Sequence, residues 1–271
     1  MRLPQPFRKF FADRGPHLAA MIAYFALLSF VPLLFLTVSL LGLAGRPDES
    51  SYLVTELKRA FPGSSVTSIV HTVDAIRKHS TALGIVGGAA LIWASLSLFS
   101  VLESAMNIVY DQPNRSFLRG KLLAVGLMLL SLVTMFLGLL AGSFGFDLLK
   151  RYAAGFAGNS YVAYGLSITV SLLGVLAFLV AVYYFLTNVE HSFADVLPGA
   201  VFAAVALEAS FQVLPLYVRY SNNVVAMKAF GGPALLLVWL YVMANVIVFG
   251  AEVNWWLAVR RRPPEEAAGL A

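Results

Sequence analysis

Apolar residues dominate six long stretches of the sequence, and more polar segments separate them. The stretches cover about 18–44, 82–107, 122–146, 161–187, 196–218 and 233–257. A helix needs about 20 mostly apolar residues to cross the roughly 30 Å of hydrocarbon in a bilayer. The stretches lack the alternation of membrane β-strands, and backbone polar groups in lipid have to be paired internally. The pattern predicts an all-α polytopic membrane protein, in which a six-transmembrane-helix bundle forms one membrane domain over residues 1–271.

The segments between the predicted spans differ in length. Asp111–Ser116 and Asn222–Gly232 contain the polar residues, glycine or proline that typically interrupt helices. The segment 45–81 is longer, and its apolar residues recur at helical spacing on both sides of Pro62-Gly63. This spacing predicts an amphipathic helical hairpin between the first and second spans. The hairpin either caps the bundle or lies at the interface, where it touches lipid headgroups or gates an opening. We favour the cap, because an apolar stripe usually reflects packing.

Composition excludes a water-soluble protein. Hydrophobic residues make up 59% of the chain and charged residues 12%, whereas about a quarter of a soluble domain is charged. The absence of cysteine excludes disulfides, thiolate nucleophiles and cysteine-ligated metals. The basic N-terminal segment precedes an apolar run longer than that of a signal peptide, so we expect the first span to be retained.

The basic residues predict the orientation of the chain in the membrane. The formal net charge is +5, and in a membrane protein such an excess favours anionic lipid over nucleic acid as the partner. Dense basic groups flank three span ends and place both termini on the cytoplasmic side; they are Arg2, Arg8, Lys9, Arg14, Arg115, Arg119, Lys121, Arg260, Arg261 and Arg262. Phe7, Phe10 and Phe11 accompany the first group and predict a short basic helix on the inner leaflet.

Motifs for catalysis or cofactor binding are missing from the sequence. It contains no P-loop, no dinucleotide-binding glycine pattern and no metal-ligand spacing such as HExxH. The four histidines, His17, His71, His79 and His191, lie at span ends or in loops without a partner at ligand spacing. We therefore predict that the chain is not an enzyme, and we assign it no catalytic residue, metal or cofactor.

Two polar residues lie near the middle of predicted spans. Glu208 is in the fifth span, where a carboxylate costs about 2.5–3.5 kcal/mol on insertion scales. Asn245 is in the sixth span and is its expected partner, because spans joined by a short loop pack antiparallel. The pair forms either an interhelical hydrogen bond or a site that binds a proton or substrate.

A second polar group is expected near the cytoplasmic ends of the spans. Glu103 and Asn107 lie one helical turn apart on the second span, and Glu252 and Asn254 lie at the end of the sixth. Nearby Arg115 or Arg119 could neutralise these acids. We favour an ion-pair network that fixes the helix register over a substrate site.

Short motifs occur along nearly the whole chain. They are Ala23–Pro32, with Tyr24, Ser29 and Pro32; Glu103–Asn107; Leu197–Ala200, with Pro198 and Gly199; Leu216–Val218, with Tyr217; Phe230–Gly232, with Gly231; Val238–Tyr241, with Trp239; and Gly250–Asn254, with Gly250. Together they resemble the YihY/BrkB family of bacterial inner-membrane proteins, formerly mislabelled ribonuclease BN. In that family Phe230–Gly232 would correspond to a glycine-containing turn. Glu208 departs from the family, which is typically apolar at this position, and Met227–Phe230 also differs.

The resemblance implies six helices and a location in the bacterial inner membrane, and it leaves the molecular activity open. Ribonuclease activity is not expected, because RNA hydrolysis needs a metal-binding cluster or an acid–base pair in a wet, basic groove. None of the predicted loops is large enough to build such a groove.

Two functions fit these predictions. The first is transport, or the handling of a lipid or envelope component, through a polar path between the second, fifth and sixth spans. Its partners would be membrane lipids, with a second copy of the chain or an envelope protein as further candidates. The alternative is a structural or scaffolding membrane protein without a substrate site, whose buried polar groups only fix helix packing.

Overall fold

The computed structural model describes residues 5–43, 82–131, 160–190, 192–221 and 225–261. All regular structure within these ranges is helical, which confirms the all-α prediction. In chain order the helices are α1 (Gln5–Ala12), α2 (Gly15–Leu43), α3 (Ala82–Val109), α4 (117–131), α5 (Ser160–Ala181, followed by a π-helical turn over Val182–Leu186), α6 (Phe193–Ser221) and α7 (Val225–Arg261).

Four helices in the described part of the chain are long and apolar enough to cross a bilayer. Their apolar windows are Ile92–Val109, Ile168–Leu186, Phe193–Val213 and Leu236–Arg260. These windows fall on the second, fourth, fifth and sixth predicted spans. The first predicted span contains the shorter apolar helix Gly15–Ser29, and the third is described only as far as residue 131. The count of six spans stays a prediction, as does the hairpin over 45–81, which lies outside the described residues.

The outer surfaces of these helices carry large apolar side chains. In a water-soluble protein a continuous exposed apolar surface of this kind would promote aggregation, whereas in a bilayer it contacts lipid. Examples on α5, α6 and α7 are Val170, Leu173, Val201, Val205 and Val242. The surface therefore agrees with a membrane protein.

The start of α6 is fixed by a local hydrogen-bonded motif. The carboxylate of Asp195 accepts hydrogen bonds from the backbone N–H and the hydroxyl of Ser192, at 3.1 and 3.0 Å. This is one half of a capping box, in which the acid three residues after the cap pairs the backbone N–H of the capping residue. The helix consequently begins at Phe193, three residues before the predicted span.

The prediction that Asn222–Gly232 interrupts the chain is wrong for residues 225–232. Helix α7 begins at Val225 and continues through Gly231 and Pro233, so the turn implied by the family resemblance at Phe230–Gly232 is wrong as well. Each glycine lowers helix stability by about 1 kcal/mol. An unpaired backbone group in lipid costs several kcal/mol, so the helix is retained.

Contacts within the described part of the chain define two compact units. The first contains the described residues within Met1–Asp13, Glu103–Glu208 and Phe249–Ala271, and the second those within Arg14–Leu102 and Ala209–Val248. In the second unit, the rings of Phe25 on α2 and Trp93 on α3 meet nearly edge to face, with centroids 6.4 Å apart. The buried hydroxyl of Ser29 donates to the backbone oxygen of Phe25 at 2.8 Å.

In the first unit, α6 and α7 cross at two glycines. A Cβ atom on Gly199 would overlap the backbone oxygen of Gly250. A Cβ atom on Gly250 would overlap the hydroxyl of Tyr183 and lie 2.9 Å from the Cβ atom of Ala203. Small residues allow this close backbone approach, which is a common basis of helix association in membranes.

Substitution of Gly199 by alanine is expected to destabilise the protein by about 1–3 kcal/mol or more, because the added methyl group meets backbone rather than a flexible side chain. The thermal unfolding midpoint of the detergent-solubilised protein measures this effect. Gly174→Ala on α5 is the matched control, since a Cβ atom there meets nothing within 4 Å and alanine favours a helix by up to about 1 kcal/mol. Equal midpoints for the two variants would contradict the close crossing.

Candidate functional site

Most of the buried polar side chains in the described part of the chain belong to the first unit. They come from the end of α3, the end of α5, the middle of α6 and the last turns of α7, and they are Glu103, Asn107, Thr187, Glu208, Glu252 and Asn254. Five of these six are residues that the sequence singled out; Thr187 is the addition. Their hydrogen-bonding partners separate them into satisfied and unsatisfied groups.

Glu103 is paired with a cation from the segment that follows α3. A guanidinium nitrogen of Arg115 lies 3.5 Å from its carboxylate, which confirms Arg115 as a neutralising partner. The carboxylate also approaches α4 closely, since a Cβ atom on Gly120 would lie 2.9 Å from its Oε2. Glycine at position 120 therefore leaves the space that Glu103 occupies.

The same Arg115 side chain binds the end of the π-helical turn. Its guanidinium donates to the backbone oxygens of Leu186 and Thr187, at 2.6 and 2.8 Å. Helix C-termini leave carbonyl oxygens without intrahelical partners and carry a partial negative charge, so a cation there is favourable on both counts. Arg115 thus ties the segment after α3 to the end of α5.

Asn107 makes a second connection between these segments. Its side-chain oxygen accepts a hydrogen bond from the backbone N–H of Asn188 at 2.7 Å, and its side-chain nitrogen donates to Asn114 at 3.1 Å. Asn114 in turn donates to Ser104 at 3.2 Å, and Asn188 donates to the backbone oxygen of Pro113 at 3.1 Å. Asn107 is completely buried, and it is satisfied by these contacts.

Glu208 also has a partner. The hydroxyl of Ser171 on α5 donates to its carboxylate at 2.8 Å. Asn245 belongs to the second unit, where its side-chain nitrogen donates to the backbone oxygen of Tyr241 at 2.7 Å. The pairing of Glu208 with Asn245 stays a prediction.

Only one of the two polar atoms of the Asn254 side chain is hydrogen-bonded in the described part of the chain. Its side-chain oxygen accepts a hydrogen bond from the backbone N–H of Gly199 at 2.6 Å, next to the crossing of α6 and α7. Its side-chain nitrogen is buried and has no hydrogen-bonding partner among the described residues. An amide with one unused donor at this position can still bind an acceptor from a ligand.

Glu252 is the least satisfied of the group. The residue is completely buried, and neither carboxylate oxygen makes a hydrogen bond of ordinary geometry in the described part of the chain. Lys9, Asp13 and Asp111 act on it electrostatically, and the side chain of Asp13 is also near enough to share a proton with the Glu252 carboxyl group. Lys9 is the cation among them, and its ammonium group is already paired with Asp13.

Helix α1 packs along the part of α7 that carries Glu252. The rings of Phe7 and Phe10 lie 4.7 and 5.8 Å from that of Phe249, measured between centroids. One turn or more further along α7, Lys9 lies over the ring of Trp255 at 4.5 Å, and Trp256 donates to the side chain of Gln5 at 3.0 Å. The predicted N-terminal helix is therefore confirmed, whereas its packing on α7 has no signal in the sequence.

The remaining motif residues have structural positions. Pro198 and Gly199 lie in α6, Gly250 lies opposite Gly199 on α7, Tyr24 is exposed and Trp239 is buried. Pro32, Tyr217 and Gly231 occupy helical positions in α2, α6 and α7. Within the described residues, no group of three or more histidines and acids is arranged to hold a metal ion.

Comparisons with known proteins give a consistent family. The family model described as virulence factor BrkB matches residues 7–270. A ribonuclease-like protein of Bacillus subtilis, YfkH, is 28% identical over 97% of this chain and 98% of its own length. UPF0761 membrane proteins of Azotobacter vinelandii and Chromohalobacter salexigens are 26% and 27% identical, each over 94% of this chain.

The lengths of these relatives differ. The chain covers 63% of the Azotobacter protein and 62% of the Chromohalobacter protein, so it spans less than two thirds of each. No solved structure matches the chain. Since the family model covers nearly every residue, and the relatives are named as membrane proteins, the chain belongs to the virulence factor BrkB family and is a membrane protein.

Proposed function

We propose that this protein transports a polar solute, or handles a lipid or envelope component, in the bacterial inner membrane. Glu252 on α7 would be its polar binding group. Asn254, two residues further along the helix, faces α6 instead and does not share this site. The observation that carries the proposal is the complete burial of Glu252, whose carboxylate oxygens make no hydrogen bond of ordinary geometry in the described part of the chain.

Energetics support a functional role for this carboxylate. Leaving a buried charged group without a partner costs several kcal/mol, and buried polar groups are nearly always hydrogen-bonded. Ionisable groups within membrane helices accordingly tend to mark substrate or ion pathways. Glu103 and Glu208, by contrast, are paired with Arg115 and Ser171, so helix packing alone accounts for them.

A ribonuclease activity is not part of the proposal. The word "ribonuclease-like" belongs to the name of YfkH, and the sequence offers no acid–base pair in a basic groove where RNA could be hydrolysed. The unsatisfied groups lie instead within an apolar membrane helix, which suits the passage of a small polar group better than the binding of a nucleic acid.

Glu252→Gln is expected to abolish complementation of a deletion strain without lowering the amount of protein in the membrane. The amide is close in shape to the carboxyl group and removes only the charge and the exchangeable proton. Complementation of the growth defect, compared with membrane abundance by immunoblot, measures both quantities.

Glu208→Gln is the matched control, because it makes the same change at a carboxylate that already has a hydroxyl partner. We expect this variant to complement fully. Full complementation by Glu252→Gln at normal abundance would exclude Glu252 from the function and with it the proposed site.

A scaffolding role is the second candidate, and the Arg115 network favours it. Arg115 contacts Glu103, Leu186 and Thr187 at once, and Asn107 links the same two segments. Fixing the positions of the helices is a sufficient role for such a network, and it requires no substrate. In that case complementation would follow the amount of folded protein and would be insensitive to Glu252.

Arg115→Gln is expected to destabilise the protein by about 3 kcal/mol, because it removes two charged hydrogen bonds and leaves the buried carboxylate of Glu103 unpaired. The thermal unfolding midpoint measures this loss. Arg119→Gln makes the same charge change at an exposed position and should have little effect. Adding Glu103→Gln to Arg115→Gln should restore part of the stability, and no recovery would contradict the pairing.

A further inference from the structure

Glu252 lies where α1 covers α7, beside an ion pair that is not its own. Helix α1 contacts α7 on both sides of Glu252 along the helix. Phe7 and Phe10 pack on Phe249, and Gln5 accepts a hydrogen bond from Trp256. Between these contacts Lys9 extends over Trp255 and pairs with Asp13, and the same Lys9 acts electrostatically on Glu252. The ammonium group of Lys9 is therefore paired with one carboxylate, that of Asp13, and influences a second, that of Glu252.

The surroundings of Glu252 restrict the ligand that its oxygens can accept. A metal cation such as Na⁺ or Ca²⁺ is usually held by several oxygen ligands, and the described residues contain no group of three or more acids and histidines that could hold a metal ion. The ammonium group of Lys9 would also repel a second cation. A proton needs one carboxylate oxygen and no further ligand.

We propose that Glu252 is a proton-binding site, and that Lys9 changes its partner from Asp13 to Glu252 when the proton leaves. In the protonated state Glu252 is neutral, and Lys9 stays with Asp13, as observed. On release the carboxyl O–H bond breaks, the proton passes to water, and the ammonium group of Lys9 balances the new carboxylate. Asp13 is then hydrated, since its side chain is 16% exposed.

The charged groups that face this site from the packed elements are Lys9 and Asp13 on or beside α1, and Asp111 in the segment after α3. Partner exchange by Lys9 couples the charge of Glu252 to the seating of α1. A role for this proton in driving transport rests on the proposed function. Proton binding itself can be measured without a substrate.

Infrared difference spectroscopy of the full chain in lipid nanodiscs tests the proton site. Stepwise changes of pH should reveal the carbonyl band of a protonated carboxylic acid that disappears as the proton is released. The band is expected to be lost in Glu252→Gln and retained in Glu208→Gln. A band that survives in Glu252→Gln would overturn the proposal, and so would removal of the band by Na⁺ at constant pH when choline has no effect.

Two further variants test the exchange of partners by Lys9. Lys9→Met removes the cation and Asp13→Asn removes its competitor, so the two should move the pH at which the band disappears in opposite senses, by about one unit or more. Arg8→Met, at the neighbouring exposed position of α1, is the matched control and should leave that pH unchanged. Equal behaviour of the Lys9 and Arg8 variants would overturn the partner exchange.

A folding defect in Glu252→Gln would not end the test. Glu252→Asp keeps a carboxyl group on a side chain shorter by one methylene, and its band should disappear at a different pH from that of the wild type. An unchanged band in Glu252→Asp would overturn the assignment. The two proposals fail separately. Full complementation by Glu252→Gln refutes the transport role and leaves the proton site to the infrared band. A band that does not depend on Glu252 refutes the proton site and leaves the transport role standing.

Discussion

The close crossing of α6 and α7 at Gly199 and Gly250 positions the polar groups of the first unit. Because no side chain separates the two backbones, Asn254 reaches the backbone N–H of Gly199 from one turn beyond Gly250. Glu252, two residues from both Gly250 and Asn254, faces away from this crossing and toward α1. The hydrogen bond of Asn254 and the packing of α6 on α7 in the first unit therefore depend on two residues that lack a side chain.

The helices were largely predictable, because a continuous apolar stretch of 20 or more residues can pair its backbone polar groups in a bilayer only by forming a helix. The errors occur at helix ends, where local chemistry decides. The carboxylate of Asp195 accepts hydrogen bonds from Ser192, and α6 therefore begins ahead of the apolar run. At the start of α7 the glycines of Phe230–Gly232 indicated a turn, yet the lipid penalty for unpaired backbone groups favours a helix from Val225.

The candidate site was predictable in its members but only in part in its contacts. Charge and sequence proximity pointed to Arg115 as the partner of Glu103, and the structure pairs them. The binding of Arg115 to the end of the π-helical turn could not be foreseen, because it joins residues more than seventy positions apart. The same holds for Lys9, whose relation to Glu252 arises from packing between the two ends of the chain.

The contact between α1 and α7 has a consequence for biogenesis. Gln5 and Trp256, which touch in the folded protein, are 251 positions apart, so the ribosome makes Gln5 long before Trp256. Every segment between them is made and inserted before the surface of α7 that α1 contacts has been formed. Helix α1 can therefore cover Glu252 only after α7 has been made.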